Sequence, residues 1–372
     1  MSEDIRTTEH DDILEQEKKQ IEDTIRRCIY AKLHFPEWGA HNRSMLAVWS
    51  LTLAAKAIGP DQETADWEKL AHYLAEESWG KWSIEDAEHY IALWLQACIR
   101  YAQITGREQE YYALPSTRYY FDYITHIITP YGQIPDFGDS HFNSNWYIWL
   151  ACLEKGAAVY RCGFMKYAAQ KVWEFGRSLS KDVYSPGIAS YLVFAYGDSD
   201  DEVQAAVPTW ESEEVLEELV GKKMIFRSGW DEDSSYMMLN YRDEGNYGYI
   251  PRQYLRTTLS VRAEKMHHGH SDENSIVLLV KNKNILLDDG GYRERLPNGK
   301  YRADIYHNRL VFRQGLMKEG QGVYDFIHDE GYYKPATTQK IHFQDFSSLT
   351  LSRTRLIDPR LELVWDRIIS YL

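Results

Sequence analysis

One stretch of the chain predicts a β-hairpin next to a cluster of histidines. It reads His267-His268-Gly269-His270-Ser271-Asp272, and two apolar runs follow it, 276–280 and 285–287, separated by Lys281-Asn282-Lys283-Asn284. A short polar segment between two β-type runs is typical of a hairpin turn, so His270 and Asp288 are expected on neighbouring strands of one sheet. Because side chains alternate along an extended segment, His268 and His270 are expected to share a face.

This arrangement points to a divalent metal ion. One imidazole of the pair can bind an ion together with Asp288 and His307, while the other acts on a substrate beside that ion. The alternative is a histidine-rich surface loop that holds no ion, because clusters of this kind often have no further role.

Outward from this stretch, the chain divides into a helical half and a β half. Residues 1–220 are predicted to form a helical domain, in which two helices end at Gly59-Pro60 and at Gly106. Further helices are predicted at 117–129, 146–161 and 164–175, with breaks between them at Pro130, Gly163 and Gly176. Residues 221–372 are predicted to form an antiparallel sheet domain from runs at 236–241, 276–280, 285–287, 310–312, 349–356 and 363–369. The acidic run 211–218 is predicted to be a solvated helix.

Composition narrows the class of protein. The 372 residues carry a formal net charge of −14, which argues against nucleic-acid binding, since phosphate neutralisation needs a basic surface. Aromatic residues make up 14% of the chain, which suits large cores or a cleft that stacks on sugar rings. The four cysteines, at wide spacings in apolar contexts, are expected to be buried thiols.

The sequence shows no membrane segment, because no run approaches eighteen apolar residues and residues 1–30 lack an apolar core. A soluble, cytoplasmic protein is expected from the sequence as given, or a periplasmic or secreted one if a signal peptide was removed. The last run reaches Leu372 without turn residues, so the sheet domain is expected to be truncated. An open sheet edge would favour pairing with another chain, which keeps a homo-oligomer open.

Three polar segments of the helical half are candidate cleft residues. His41-Asn42 and Glu85-Asp86-Ala87-Glu88-His89-Tyr90 each open a helix, and helix N-termini favour anions. Capping by Asn42 and Asp86 and core packing of Tyr90 are equally open. The third segment is the loop 131–141, which carries Asp139 and His141; Asp139 could equally shape the loop through its own hydrogen bonds.

Taken together, these segments resemble the heparinase II/III-like polysaccharide lyases over residues 36–315. The resemblance rests on the His/Asn pair opening a helix, on Glu85-x4-Tyr90, and on the loop Gly132-x-x-Pro135-x-x-Gly138-Asp139-Ser140. It also rests on His268-Gly269-His270-Ser271-Asp272, then Leu287-Asp288-Asp289-Gly290-Gly291-Tyr292, then Tyr306-His307-Asn308. It implies an incomplete α/α toroid followed by an antiparallel β-sandwich, with the active cleft between them.

The resemblance also implies β-elimination at a uronic acid of an acidic polysaccharide. Asn42 and His268 then neutralise the uronate carboxylate, with His41 as a helper, and Tyr90 is the base and the acid that protonates O4. His270, Asp288 and His307 become ligands of a structural divalent ion, such as zinc. Glu85, Asp139, His141 and Arg256 are expected to contact substrate.

The sequence departs from the family pattern at three places. His41-Asn42 stands in reverse order, His89 precedes Tyr90 rather than following it, and Asp289 replaces the usual proline, so Asp289 is an alternative metal ligand. Two other functions stay open: a carbohydrate-binding protein that retains the fold without turnover, and a metal-dependent glycan hydrolase with a metal-bound water.

Overall fold

The computed structural model describes residues 15–34, 41–76, 78–79, 87–138, 140, 145–179, 184–196, 203–210, 213–215, 222–241, 270–289, 304–328, 336–359 and 361–372. Its helices are α1 (Glu15–Leu33), α2 (Asn42–Ile58), α3 (Gln62–Glu76), α4 (Glu88–Thr105), α5 (Glu108–Ala113), α6 (Pro115–His126), α7 (Trp146–Tyr160), α8 (Gly163–Leu179), α9 (Tyr184–Tyr196) and α10 (Val323–His328). Among these described helices, none has the length and apolar character needed to cross a bilayer.

The predicted helix ends at Gly59-Pro60 and Gly106 are confirmed. Gly59 adopts φ 96° and its N–H donates to the Ala55 carbonyl at 3.0 Å, which closes α2. Asp61 caps the start of α3: its carboxylate accepts from the Thr64 N–H, and the Thr64 hydroxyl accepts from the Asp61 N–H, each at 2.8 Å. Gly106 ends α4 in the left-handed conformation with φ 69°.

Gly176 was expected to interrupt the helices, and this prediction is wrong. Gly176 lies inside α8, where a β-carbon would come within 2.1 Å of the Trp146 indole ring. The glycine therefore allows α7 and α8 to pack closely, and it does not end a helix.

The β half contains two antiparallel sheets within the described residues. Sheet A has the order β1-β2-β3-β4-β5, and sheet B has the order β6-β7-β8. The strands are β1 (Glu213–Val215), β2 (Lys223–Arg227), β3 (Tyr236–Asn240), β4 (Ser275–Lys281), β5 (Asn284–Asp288), β6 (Thr337–Phe346), β7 (Leu349–Asp358) and β8 (Leu363–Tyr371).

The predicted hairpin is confirmed as β4 and β5. Lys281 pairs with Asn284, and the two residues between them, Asn282 and Lys283, have φ of 50° and 60°. Positive φ at both central positions defines a two-residue turn whose twist matches that of the strands. His270 is not on β4, however, because a turn at Glu273 and Asn274 separates it from the strand.

Sheet A lies between two layers. On one face, Ile225, Tyr236 and Val277 belong to the same core as the helices. On the other face, Phe226 and Leu239 pack with Phe343 and Tyr371 of sheet B. Because both faces are covered, every residue of β2 and β3 is buried.

Two further segments differ from the sequence prediction. Residues 213–215 of the acidic run form strand β1, paired with β2, where a solvated helix was expected. Residues 310–312, predicted as a strand, lie outside regular secondary structure. Backbone pairing with β2 satisfies the β1 hydrogen bonds, which a local charge pattern cannot reveal.

Candidate active site

The first turn of α4 is held in place by two other segments. The Glu88 N–H donates to the Phe137 carbonyl at 3.0 Å, and the Trp149 indole donates to the Glu88 carbonyl at 3.2 Å. The Asn145 side-chain amide donates to the His89 carbonyl at 3.1 Å. The start of α4 is thereby fixed to the loop 133–138 and to the start of α7.

Tyr90 follows directly on this anchored turn. Its side chain is half-buried, and its ring lies edge-on to the His89 ring with 5.1 Å between the centroids. The predicted base is thus accessible enough to meet a ligand, while its backbone is supported by buried hydrogen bonds. The role of Tyr90 as base and its alternative, core packing, both stay predictions.

Glu88 is a buried acid that the sequence analysis did not single out for chemistry. Its side chain is 2% exposed, and burial raises the pKa of its carboxyl well above the ordinary value. The negative charge of Asp136 raises that pKa further, and the Trp149 indole offsets part of the effect. The surroundings of Glu88 therefore favour the protonated form of its carboxyl, one residue before His89.

At the start of α2, His41 and Asn42 have different roles. His41 is the N-cap, and its Nδ1 accepts from the Ser44 N–H at 3.4 Å. Asn42 is the first helical residue and is buried, and its Oδ1 accepts no hydrogen bond within the described part of the chain. Capping is therefore performed by His41, and the Asn42 side-chain oxygen takes no part in it. Helices α2 and α4 pack against each other.

On the sheet side, two of the predicted metal ligands lie together. The rings of His270 and His307 are both buried, with 5.4 Å between their centroids. The carboxylate that contacts His307 Nδ1 is that of Asp289, whereas the predicted ligand Asp288 is the last residue of β5. Burial alone would lower the pKa of His307, but the charge and hydrogen bond of Asp289 outweigh it, so the pKa is raised.

The ring orientation of His307 suits a metal ligand. A histidine that binds a metal through one nitrogen usually holds a carboxylate or carbonyl with the other. His307 Nδ1 contacts Asp289, and its buried Nε2 has no hydrogen-bond partner among the residues described. The described ranges nevertheless contain no group of three or more His, Cys, Asp or Glu side chains arranged to hold a metal ion.

A chain of contacts joins the helical side of the site to the sheet side. The Lys223 ammonium lies 4.4 Å from the centroid of the Phe137 ring. Lys223 pairs across the sheet with Asn240, whose side-chain amide donates to the Asp272 carboxylate at 2.9 Å. Asp272 is two residues from His270. The loop that holds Glu88 therefore rests on the sheet close to the histidine cluster.

Several predicted site residues lie outside the described residues. These are His268, Glu85, Asp139, His141 and Arg256. Of the predicted catalytic group, the structure describes His41, Asn42 and Tyr90, all at or near the starts of helices that pack together.

Comparison with solved structures identifies similar backbones. A crystal structure of heparinase III matches 92% of this chain and 47% of its own, with a TM-score of 0.58 and 14% sequence identity. A heparinase III with methylated lysines matches 89% of this chain and 43% of its own, with a TM-score of 0.49 and 14% identity. No protein-family model and no curated protein matches the sequence.

The likeness to heparinase III concerns the fold. A helical region followed by antiparallel sheets is a heparinase-like α+β architecture, and the coarse fold prediction is confirmed at that level. The chain spans less than half the length of the solved structures that it matches.

Proposed function

We propose that the protein is a polysaccharide lyase that cleaves a uronate-containing glycan by β-elimination. The observation that carries the proposal is the contact chain from the start of α4 through Phe137, Lys223 and Asn240 to Asp272. This chain supports the proposal because Phe137, next to the anchored start of α4, and Asp272, two residues after His270, contact paired residues of sheet A. The heparinase-like fold supports the same function, with the helices as an incomplete α/α toroid and the sheets as a sandwich.

In this proposal, the amide of Asn42 neutralises the uronate carboxylate, with His41 and His268 beside it. Neutralisation matters because removal of the C5 proton places negative charge on that carboxylate, and a preorganised donor stabilises the charge as it develops. The NH2 group of the Asn42 side chain is the donor suited to this task, and helix capping is performed by His41 instead.

Tyr90 then acts as the base. Its phenolate takes the C5 proton, the electrons of the C5–H bond form the C4–C5 double bond, and the bond from C4 to O4 breaks. The phenol returns its proton to O4, so the base is regenerated in one cycle. Glu85, Asp139, His141 and Arg256 are proposed to contact the glycan on either side of the scissile bond.

A divalent ion is proposed to be held by His270, His307 and an aspartate. The contact of His307 Nδ1 favours Asp289 as the carboxylate, with Asp288 as the neighbouring alternative. When bound, such an ion would fix the segment 270–272 and thereby the direction of the preceding His268. Zinc suits two imidazoles and a carboxylate.

The test is an absorbance assay for the unsaturated uronate product with alginate, heparan sulfate and chondroitin sulfate. We expect a rise in ultraviolet absorbance with one of these glycans, and a loss of about 10²- to 10⁴-fold in Tyr90→Phe. Tyr73→Phe is the matched control, since Tyr73 is 52% exposed on α3.

The outcomes separate the alternatives. Glycan binding without a new double bond, unchanged in Tyr90→Phe, would indicate a binding protein. Cleavage without a double bond, lost at once on chelation, would indicate a metal-dependent hydrolase. No absorbance change and no binding with any of the three glycans would defeat the proposal.

A further inference from the structure

A cavity lies between helix α8 and the β4–β5 hairpin, apart from the candidate active site. Its volume is about 380 Å³, which falls in the range of small-molecule sites. Helix α8 contributes Phe175 and Leu179, the turn after α6 contributes Gln133, and β5 contributes Ile285. Ile285 is four residues before Asp289, a distance of about 13 Å along an extended strand, so the wall that Ile285 forms lies away from the histidine cluster.

The side chain of Gln133 indicates that the cavity can bind a ligand that carries a hydrogen-bond acceptor. The side chain is 2% exposed, and its Oε1 accepts from the Tyr131 hydroxyl at 2.7 Å. Its buried Nε2 has no hydrogen-bond partner in the described structure, although the residue lines the cavity. A buried donor without an acceptor is unfavourable by about 1–3 kcal/mol, so a ligand oxygen that accepts from Nε2 would remove this free-energy cost.

The position of Gln133 is fixed by the backbone around it. Gly132 has φ 94°, and a β-carbon there would lie 2.0 Å from the Lys171 carbonyl oxygen of α8. The Gln133 carbonyl also accepts from the Thr129 N–H and hydroxyl, each at 3.0 Å. The turn is thus packed tightly on α8, and the amide cannot move far to find another partner.

The charges around the cavity favour a neutral ligand. Glu174 is paired with Lys171 at 3.1 Å, and Glu232 is paired with Lys283 at 2.5 Å. Two carboxylates and one ammonium, Lys283, line the space, and that ammonium is already paired. An anionic ligand would therefore have to compete with Glu232 for the Lys283 ammonium, whereas sugar hydroxyls can donate to the two carboxylates.

The remaining walls suit the apolar face of a sugar. The Phe175 ring is half-buried and is held edge-on by Tyr131, with 5.8 Å between the ring centroids. Leu179 and Ile285 are 41% and 42% exposed and border the same space. A pyranose has C–H groups on its faces and hydroxyls at its edge, which matches apolar walls combined with Gln133 and the carboxylates.

We propose that this cavity is a binding site for a neutral saccharide unit, held by a hydrogen bond from Gln133 Nε2. The site is distinct from the proposed uronate-cleaving site and does not depend on it. A sugar bound there contacts both α8 and the hairpin that leads to Asp289.

The proposal is tested by ligand-observed NMR on the full chain with glucose and N-acetylglucosamine, and with glucuronate as the anionic comparison. We expect binding of at least one neutral sugar and at least tenfold weaker binding of glucuronate. Gln133→Leu should weaken the neutral sugar about tenfold, the effect of one lost hydrogen bond. Gln170→Leu, the same change at an exposed position of α8, should leave binding unchanged.

A second pair of variants tests the same site in case Gln133→Leu does not fold. Ile285→Gln and Leu286→Gln change neighbouring, exposed residues of β5 that point to opposite faces, and Ile285 lines the cavity. Ile285→Gln should weaken binding and Leu286→Gln should not. Binding retained in Tyr90→Phe would separate this site from the proposed active site. No neutral sugar binding, or equal binding in Ile285→Gln, would show that the cavity holds water only.

Discussion

The Lys223 ammonium lies 4.4 Å from the centre of the Phe137 ring, although Lys223 belongs to sheet A and Phe137 to the loop between α6 and α7. Both side chains are fully buried. A desolvated contact between a cation and an aromatic face contributes about 2 kcal/mol, so this pair is a substantial part of the junction between helices and sheet.

A double-mutant cycle measures that contribution. Lys223→Met and Phe137→Leu should each destabilise the protein, and the double variant should recover about 1–2 kcal/mol relative to the sum of the two. The measurement is chemical unfolding followed by circular dichroism. Additivity within about 0.5 kcal/mol would show that the two side chains do not interact.

Glu88→Gln should stabilise the protein at neutral pH. The folded-state pKa of Glu88 is raised, so its stabilising contribution is complete below the ordinary value of 4.5 and is lost as the pH rises through the folded pKa. Each pH unit across that interval removes about 1.4 kcal/mol, or roughly 2 °C in melting temperature for a chain of this size. Glutamine mimics the protonated acid and avoids this loss.

The comparison is a melting curve of both proteins from pH 4 to pH 8. The advantage of Glu88→Gln should grow with pH and vanish near pH 4. Glu108→Gln, at an exposed position in the first turn of α5, is the control. An advantage that is the same at every pH would mean that the pKa of Glu88 is not raised in the folded protein.

Substitutions of the two residues at the start of α2 should have different effects, one on stability and the other on activity. His41→Ala removes the cap and should lower the free energy of unfolding by about 1 kcal/mol. Asn42→Ala should leave stability within about 0.5 kcal/mol, since its Oδ1 has no hydrogen-bond partner among the described residues, while lowering lyase turnover about 10²-fold. Equal activity of Asn42→Ala and the parent chain would remove Asn42 from the proposed mechanism.

Metal content should depend on Asp289 more than on Asp288. A carboxylate that orients a metal-binding histidine is worth about 10- to 100-fold in affinity, and the structure shows such a contact for Asp289. Elemental analysis after zinc loading should find less metal in Asp289→Asn than in Asp288→Asn, and least in His307→Ala. Chelation should lower the melting temperature of the parent chain and leave that of His307→Ala unchanged. His72→Ala, exposed on α3, serves as the control.

Gly176→Ala should destabilise the protein by about 1–3 kcal/mol, because the added carbon would overlap the Trp146 ring. Gly187, inside α9 with open space around its missing β-carbon, is the matched position, where alanine should be neutral or stabilising. Thermal melting of the two variants distinguishes a packing role from a helix break.

The sequence predicted those elements whose signals are local. The β4–β5 hairpin follows from a polar pair, Asn282-Lys283, between apolar runs, and the ends of α2 and α4 follow from Gly59 and Gly106. Strand β2 was missed because Lys223 and Arg227 at its ends read as exposed charges. In the folded chain, the Phe137 ring lies against Lys223, while the Trp230 ring and the Ile128 carbonyl contact Arg227.

Of the predicted site, the structure brings His270 and His307 together, while the choice of carboxylate beside them could not be predicted. The spacing of histidines and aspartates pointed to His270 and His307, whereas the choice between Asp288 and Asp289 depends on how the chain turns after β5. The burial of Glu88 could not be predicted from the sequence, because a glutamate in the first turn of a helix is usually exposed to solvent. Its unusual pKa arises from burial and from Asp136, forty-eight positions away.

Sheet A supplies residues to the core of the helices on one face and to the core beneath sheet B on the other. A fragment that stops at residue 220 would thus expose an aromatic and aliphatic surface that Tyr236 and Val277 normally cover. Such a fragment should be recovered from cells chiefly as insoluble material, and dissection of this protein into separately expressed pieces should fail at that position.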